Sequence, residues 1–192
     1  MIAIIKYNAG NISSVQNALK RLGYESVITE DENEIVNADK VIFPGVGEAS
    51  SAMKYLKARG LDKVIASIKK PMLGICLGLQ LMCDKSEEGN TTCLGIFNAV
   101  VKKFPATDKV PHMGWNNFSE IKGGLFNGIE ANNDMYFVHS YYAEINHQTI
   151  ATTNYILPFG AAMQKNNFFA VQFHPEKSAD IGEQLLKNFL AL

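Results

Sequence analysis

Met72-Leu73-Gly74-Ile75-Cys76-Leu77-Gly78 is the stretch that decides the fold. Met72 to Ile75 is short, apolar and continuous, the pattern of a strand covered on both faces. Leu77 to Cys83 then has helical spacing, so the cysteine stands at a strand-to-helix turn. In that place Gly74-x-Cys76-x-Gly78 is the thiol version of the nucleophile elbow. A nucleophile on so tight a turn needs small neighbours two residues to either side, because the chain doubles back there. The turn also sets the sulfur near a helix N-terminus, whose partial positive charge favours the thiolate. A buried core cysteine beside packing glycines is the competing explanation, and the strand and helix on either side tip the balance toward a nucleophile.

The alternation continues outward. Ile2 to Ile5 reads as a buried strand, followed by Ile12, Val15, Ala18, Leu19 and Leu22 at helical spacing, with Asn11 as N-cap and Gly23 as stop. Strands are expected over Glu25 to Thr29 and Lys40 to Phe43, and helices over Glu48 to Arg59 and Leu61 to Lys69. Strand and helix in alternation require right-handed crossovers and a mostly parallel sheet flanked by helices, so the fold class is α/β. From Leu94 to Thr153 short β-rich runs replace the helices. Val100 to Phe104, Met135 to Val138 and Thr149 to Thr153 are expected to add to one side of the sheet, partly antiparallel. Phe168 to Phe173 is a further strand. Ser178 to Leu192 closes the chain as a helix with Ile181, Leu185, Leu186, Phe189 and Leu190 on one face. No repeat or linker interrupts residues 1–192, which are read as one domain.

With 192 residues, 47% of them hydrophobic and 19% charged, the chain has material for a packed core and not the composition of disorder. Its 18 basic and 19 acidic residues leave a net charge of −1, without the basic excess expected for a nucleic-acid or membrane-surface partner. The N-terminus lacks the pattern of a signal peptide, and no apolar run approaches the roughly 18 residues needed to cross a bilayer. Cys76, Cys83 and Cys93 form no CxxC pair, so no disulfide framework or zinc site is expected, and Cys83 and Cys93 read as structural. There is no metal-ligand spacing such as HExxH, no Gly-x-Gly-x-x-Gly and no Walker loop. The expectation is a cytoplasmic protein with reduced thiols and no cofactor or metal.

A cysteine nucleophile needs a base, and the base needs an orienting group. His174 stands at the end of the Phe168 to Phe173 strand, in Gln172-Phe173-His174-Pro175-Glu176. Glu176, two residues on, is placed to return its carboxylate to the imidazole and fix the tautomer. Both motifs close predicted strands, where open α/β sheets bind their ligands. Pro44-Gly45-Val46-Gly47 also follows a strand, and its glycines allow backbone N–H groups to turn toward an oxyanion. An ordinary glycine-rich turn explains that segment equally well.

Gly74 to Gln80 and Gln172 to Glu176 together resemble the class I, triad-type glutamine amidotransferases. Further segments are Tyr7-Asn8-Ala9-Gly10-Asn11-Ile12-Ser13-Ser14-Val15, Pro44 to Gly47, Pro111-His112-Met113-Gly114-Trp115-Asn116, Tyr136 to Tyr141 and Phe173 to Ser178. These narrow the resemblance to the branch that supplies glutaminase subunits to imidazole glycerol phosphate synthases. The resemblance implies a flavodoxin-like class I glutaminase fold and glutamine as substrate. It implies that Cys76 forms a glutamyl thioester and releases ammonia, that His174 shuttles the proton, and that Glu176 orients His174. It assigns oxyanion donors to the Leu77 N–H and the Gly45-Val46-Gly47 strand, and glutamine binding to Gln80, Ser140 and Tyr141. Gly10, Asn11, Trp115, Tyr136 and Lys177 fall where this branch meets its partner, a cyclase subunit with a (β/α)8 barrel. Ammonia would pass through that barrel to make imidazole glycerol phosphate and an aminoimidazole carboxamide ribonucleotide, in histidine biosynthesis.

The chain departs from the pattern at Leu94-Gly95-Ile96, which lacks a Pro-Gly turn, and at Ala170, where a glycine is common. Two alternatives stand beside this assignment. One is a paralogous glutaminase feeding another synthase, such as one aminating surface-polysaccharide sugars. The other is an inactive interaction module, against which the joint presence of Cys76, His174 and Glu176 speaks.

Overall fold

Five short runs of the chain become adjacent parallel strands in the computed structural model, which describes residues 1–192. They are β1 (Ile2–Ile5), β2 (Ser26–Thr29), β3 (Lys40–Gly45), β4 (Met72–Cys76) and, from the far end of the chain, β14 (Phe168–Val171), in the order β2-β1-β3-β4-β14. The helices are α1 (Ile12–Arg21), α2 (Glu32–Asn37), α3 (Ala49–Ala58), α4 (Leu61–Ser67), α5 (Leu77–Met82) and α6 (Ala179–Leu190). Because side chains alternate along a strand, each run feeds two cores. Ala3, Ile5, Val41, Phe43 and Met72 pack with Ile35, Leu56, Ile65 and Leu79 of α2 to α5. Ile2, Ile4, Ile42, Leu73 and Ile75 pack on the other face with Val15 and Leu19 of α1 and Leu185, Leu186 and Phe189 of α6. The mostly parallel α/β sheet is as expected.

The second half supplies β5 (Cys83–Ser86), β6 (Thr91–Thr92), β7 (Phe97–Lys103), β8 (His112–Asn116), β9 (Glu120–Ile121), β10 (Met135–His139), β11 (Tyr141–Ala143), β12 (Thr149–Tyr155) and β13 (Leu157–Lys165). The sheet continues from β14 through β13, β11, β7, β5 and β6, with antiparallel pairing from β14 to β7. One expectation fails. Met135 to Val138 does not join this sheet; it pairs antiparallel with His112–Asn116 as a separate two-stranded ribbon. The ribbon packs Met135 and Phe137 into the core with Phe159 and Phe173 and exposes Met113 and Trp115 on its other face, so burial of one face holds it across the sheet rather than in the ladder. Cys83 lies just past α5 rather than on it, at the start of β5. Several elements were not anticipated, among them the short strands β5, β6, β8, β9 and β11, the long strand β13, and α2. In β13, Pro158 and Gly160 break the look of a strand, but Pro158 sits next to the hairpin end, where proline is tolerated. Helix α2 buries only Ile35, though Asp31 announces it by capping the Glu34 N–H.

The elbow glycines are required by space. A Cβ on Gly78 would lie 1.9 Å from the Phe43 carbonyl oxygen, and one on Gly74 would meet Met82 and the backbone of Gly78. Helix α5 therefore lies directly on the ends of β3 and β4. Gly78→Ala should cost about 1–3 kcal/mol and lower Tm by several degrees, as overpacking against fixed backbone does. Gly124→Ala, with its nearest neighbour at 3.8 Å, should leave Tm nearly unchanged. Thermal melts of the two variants test this.

Candidate active site

Three neighbouring strands end at one place. Gly45 at the end of β3 is in register with Cys76 at the end of β4, and Val171 of β14 is in register with Ile75. The elbow, the Gly45-Val46-Gly47 segment and His174 therefore lie side by side at the carboxyl edge of the sheet, where crossover helices leave a crevice. Cys76 has φ 54° and ψ −108°, a conformation that costs on the order of 1–3 kcal/mol in a side-chain-bearing residue. Its sulfur is nearly buried, 3.9 Å from the Val138 carbonyl and 3.7 Å from Nε2 of Gln172.

His174 follows β14 and opens a single turn, Pro175–Lys177, that swings Glu176 back to it. Its Nδ1 lies 2.7 Å from Oε1 of Glu176, and both side chains are fully buried. Nε2 is buried without a hydrogen-bond partner, so one edge of the ring is held and the other is free. Burial works to lower the His174 pKa, but the Cys76 sulfur and then the Glu176 carboxylate outweigh it and push it up to about 10. The backbone is clamped as well. The His174 N–H donates to the Tyr136 carbonyl at 2.9 Å, and the Ser178 hydroxyl donates to the His174 carbonyl at 2.6 Å. A Cβ on Gly182 would strike the Pro175 carbonyl at 2.0 Å, so α6 presses on this turn from behind.

A cavity of about 260 Å³ opens beside the sulfur, lined among others by Val46, Gly47, Cys76, Leu77, Gln80, Glu88, Ser140 and Tyr141. Nε2 of Gln80 donates to the Tyr141 carbonyl at 3.0 Å and to Oε1 of Gln172 at 3.1 Å. Gln80, Ser140 and Tyr141 thus share one cavity with Cys76. Two participants were not singled out from the sequence. Glu88 is the carboxylate of the cavity wall; burial raises its pKa, and it accepts from the Ala49 N–H at 2.8 Å. Gln172, fully buried, links Gln80 to Cys76. Its place directly before Phe173-His174 was the available signal. Cys83 and Cys93 are buried away from this cavity, and burial pushes both thiols up, Cys93 to about 12.

The remaining residues lie on the rim. Trp115 is 53% exposed and meets the half-buried Tyr136 edge-on at 5.9 Å, and Lys177 is exposed. Asn11 stands at the N-cap position of α1 but makes no cap bond. It is left-handed, with φ 70°, and its amide donates to Oε1 of Glu176. The Gly10 N–H donates to the Val46 carbonyl at 3.2 Å.

The model of the family "Glutamine amidotransferase class-I" matches residues 3–192. The imidazole glycerol phosphate synthase subunit HisH of Bacteroides fragilis strain YCH46 is 57% identical over 194 residues, covering 100% of this chain and 99% of its own. The subunit of the same name from Bacteroides thetaiotaomicron is 55% identical over 194 residues, with 100% and 99% covered. A solved glutamine amidotransferase structure superposes with a TM-score of 0.77 at 19% identity, covering 99% of this chain and 97% of its own. The structure of PurLQS from Thermotoga maritima gives 0.70 at 15% identity, with 99% and 97% covered. At such low identity these two structures speak for the fold alone. The family match and the relatives run through nearly every residue of the sequence, and on that ground the chain belongs to the class-I glutamine amidotransferases.

Proposed function

We propose that this chain, acting as one domain over residues 1–192, is the glutaminase subunit of an imidazole glycerol phosphate synthase. The observation that carries the chemistry is the cavity in which the Cys76 sulfur, the Gly47 backbone and Gln80 face one another beside the buried His174–Glu176 pair. The names of the full-length relatives support the choice of synthase. In this reading Nε2 of His174 takes the Cys76 thiol proton as the sulfur attacks the side-chain carbonyl carbon of glutamine. His174 delivers a proton from Nε2 to the departing nitrogen, so that ammonia leaves and a thioester remains. Water, deprotonated by His174, then releases glutamate and restores the thiol. Glu176 holds Nδ1, and Gln172 steadies the sulfur. The Leu77 N–H supplies one oxyanion donor and the Gly45-Val46-Gly47 strand the other. Gln80, Ser140 and Tyr141 hold glutamine, and Glu88 receives its ammonium group.

The exposed rim of Trp115, Tyr136 and Lys177, with Gly10 and Asn11, is assigned to the cyclase subunit, whose (β/α)8 barrel takes up the ammonia. An exposed tryptophan edge-on to a tyrosine is the kind of anchor that interface centres use. No helix is long and apolar enough to cross a membrane. The cytoplasm, beside that partner, is assigned as the chain's place of work.

The central test is glutamate release by the chain mixed with the cyclase subunit, with and without the nucleotide substrate. Cys76→Ala should abolish release while partner binding persists. His174→Ala should be nearly as damaging, and the double variant little worse than either, because residues acting as a unit are not additive. Additive losses would separate the residues and end the triad assignment.

The pH profile supplies a second check. Since the Glu176 carboxylate raises the His174 pKa, Glu176→Gln should shift the alkaline limb of kcat/KM to lower pH. An unmoved limb would detach Glu176 from His174.

The third test concerns Gly47, whose φ of 135° lies where L side chains are strained although space beside it is open. Gly47→Val should therefore act through backbone conformation. We expect partner-stimulated release to fall by about a hundred- to a thousandfold, the value of one oxyanion donor, with basal release far less affected. An isolated chain running at the full rate of the complex would refute this gating.

A further inference from the structure

The ribbon of β8 and β10 carries a buried histidine pair that the proposed chemistry does not use. His112 and His139 face each other in register on its inner side, opposite the face that exposes Met113 and Trp115. Nδ1 of His112 lies 3.0 Å from Nε2 of His139, and Nδ1 of His139 lies 2.8 Å from the Tyr141 carbonyl. The amide of Asn116 lies 3.2 Å from Nε2 of His112 and also donates to the Asn154 carbonyl at 3.0 Å.

For two neutral rings, only one arrangement of protons satisfies this chain. The Tyr141 carbonyl can only accept, so His139 donates from Nδ1 and must accept at Nε2. His112 must then donate from Nδ1 and accept the Asn116 amide at Nε2. Both imidazoles are Nδ1–H tautomers. Their surroundings keep them neutral: His112 is stacked on Tyr155 at 4.1 Å and on Phe137 at 4.9 Å. Burial pushes His112 down to about 4 and His139 down to about 3. The titratable neighbours are Tyr155, against His112, and His174, whose charge further lowers His139. The Tyr141 carbonyl that ends the chain is the one that holds Nε2 of Gln80, and Gln172 continues the path to the Cys76 sulfur.

We infer that His112 and His139 are positioning residues for glutamine, fixing the Tyr141 carbonyl and through it Gln80. The pair orients Gln80 so that its Oε1 stays available as an acceptor in the cavity. This rests on the glutaminase reading above. A purely space-filling role would be served as well by two phenylalanines, without the cost of burying polar ring nitrogens.

H112F keeps an aromatic ring between Tyr155 and Phe137 but leaves Nε2 of His139 without its donor, whereas H112N restores an N–H near the Nδ1 position. Glutamate release is measured for each in complex with the cyclase subunit. The KM for glutamine should rise about tenfold in H112F with kcat changed less than about twofold, the mark of lost ground-state binding, and return to within about threefold of wild type in H112N. Histidine ¹⁵N NMR of the wild-type chain should show both rings as Nδ1–H tautomers that do not titrate between about pH 5 and 8. An H112F variant with unchanged KM, a loss confined to kcat, or an Nε2–H tautomer at either ring would overturn the inference while leaving the glutaminase standing. A wild-type complex that releases no glutamate would overturn that reading and this one with it. If H112F does not fold, the tautomer spectrum of the wild type decides.

Discussion

Helix α5 crosses the end of β3 so closely that the Phe43 carbonyl oxygen fills the space a side chain on residue 78 would need. The rest of the site depends on that approach. It brings Cys76 and its strained backbone to the edge of the sheet, and it sets the Gly45-Val46-Gly47 segment against the sulfur. Strain of this kind persists only where the surroundings over-determine it. Here they do: β4 is hydrogen-bonded between β3 and β14, and a fully buried core covers each face.

The second costly feature is the buried His174–Glu176 pair. Removing two charges from water is repaid only when close geometry and further hydrogen bonds support the pair. The 2.7 Å contact, the Asn11 amide on Glu176 and the clamp of Tyr136 and Ser178 on the His174 backbone meet that requirement. Oε2 of Glu176 and Nε2 of His174 remain buried and unpartnered. Orphaned polar atoms are expensive in a core and common where a reaction needs them. The nitrogen is the one the proposed proton transfer uses.

The sequence made the strands legible wherever one physical cause dominated. Ile2–Ile5 and Met72–Cys76 are apolar throughout because they are covered on both faces, and the glycines around Cys76 have no other explanation than close approach. The ribbon was harder to read. Met135–His139 has the composition of any β-strand, and its partner at His112–Asn116 is determined by tertiary pairing that no local pattern encodes. The same limit applies to side-chain direction. Asn11 could be recognised as a residue before a helix, yet its left-handed backbone turns the amide to a carboxylate 165 positions away. Gln172 and Glu88 were hidden for a similar reason, since both are ordinary polar residues until the fold sets Glu88 in the cavity wall and buries Gln172 between Gln80 and Cys76.

Two routes lead from the exposed rim to the site, and their energies differ in kind. The ribbon route runs through hydrogen bonds with one allowed direction, which makes it a rigid support. The other route ends at a single bond, from the Gly10 N–H to the Val46 carbonyl at 3.2 Å. In a trans peptide the carbonyl and the following N–H point in opposite directions, so while Gly10 holds the Val46 oxygen the Gly47 N–H is fixed as well. Turning that peptide breaks one neutral hydrogen bond, worth about 0.5–1.5 kcal/mol net. A donor newly aimed at a developing oxyanion returns about 3–4 kcal/mol in the transition state. Gly47, at φ 135° with open space beside it, frees the turn on one side of that peptide, while the β-branched Val46 side chain is what must be accommodated on the other. The small cost and the larger return make this bond, beside the surface assigned to the partner, the place where a modest contact would change the rate most.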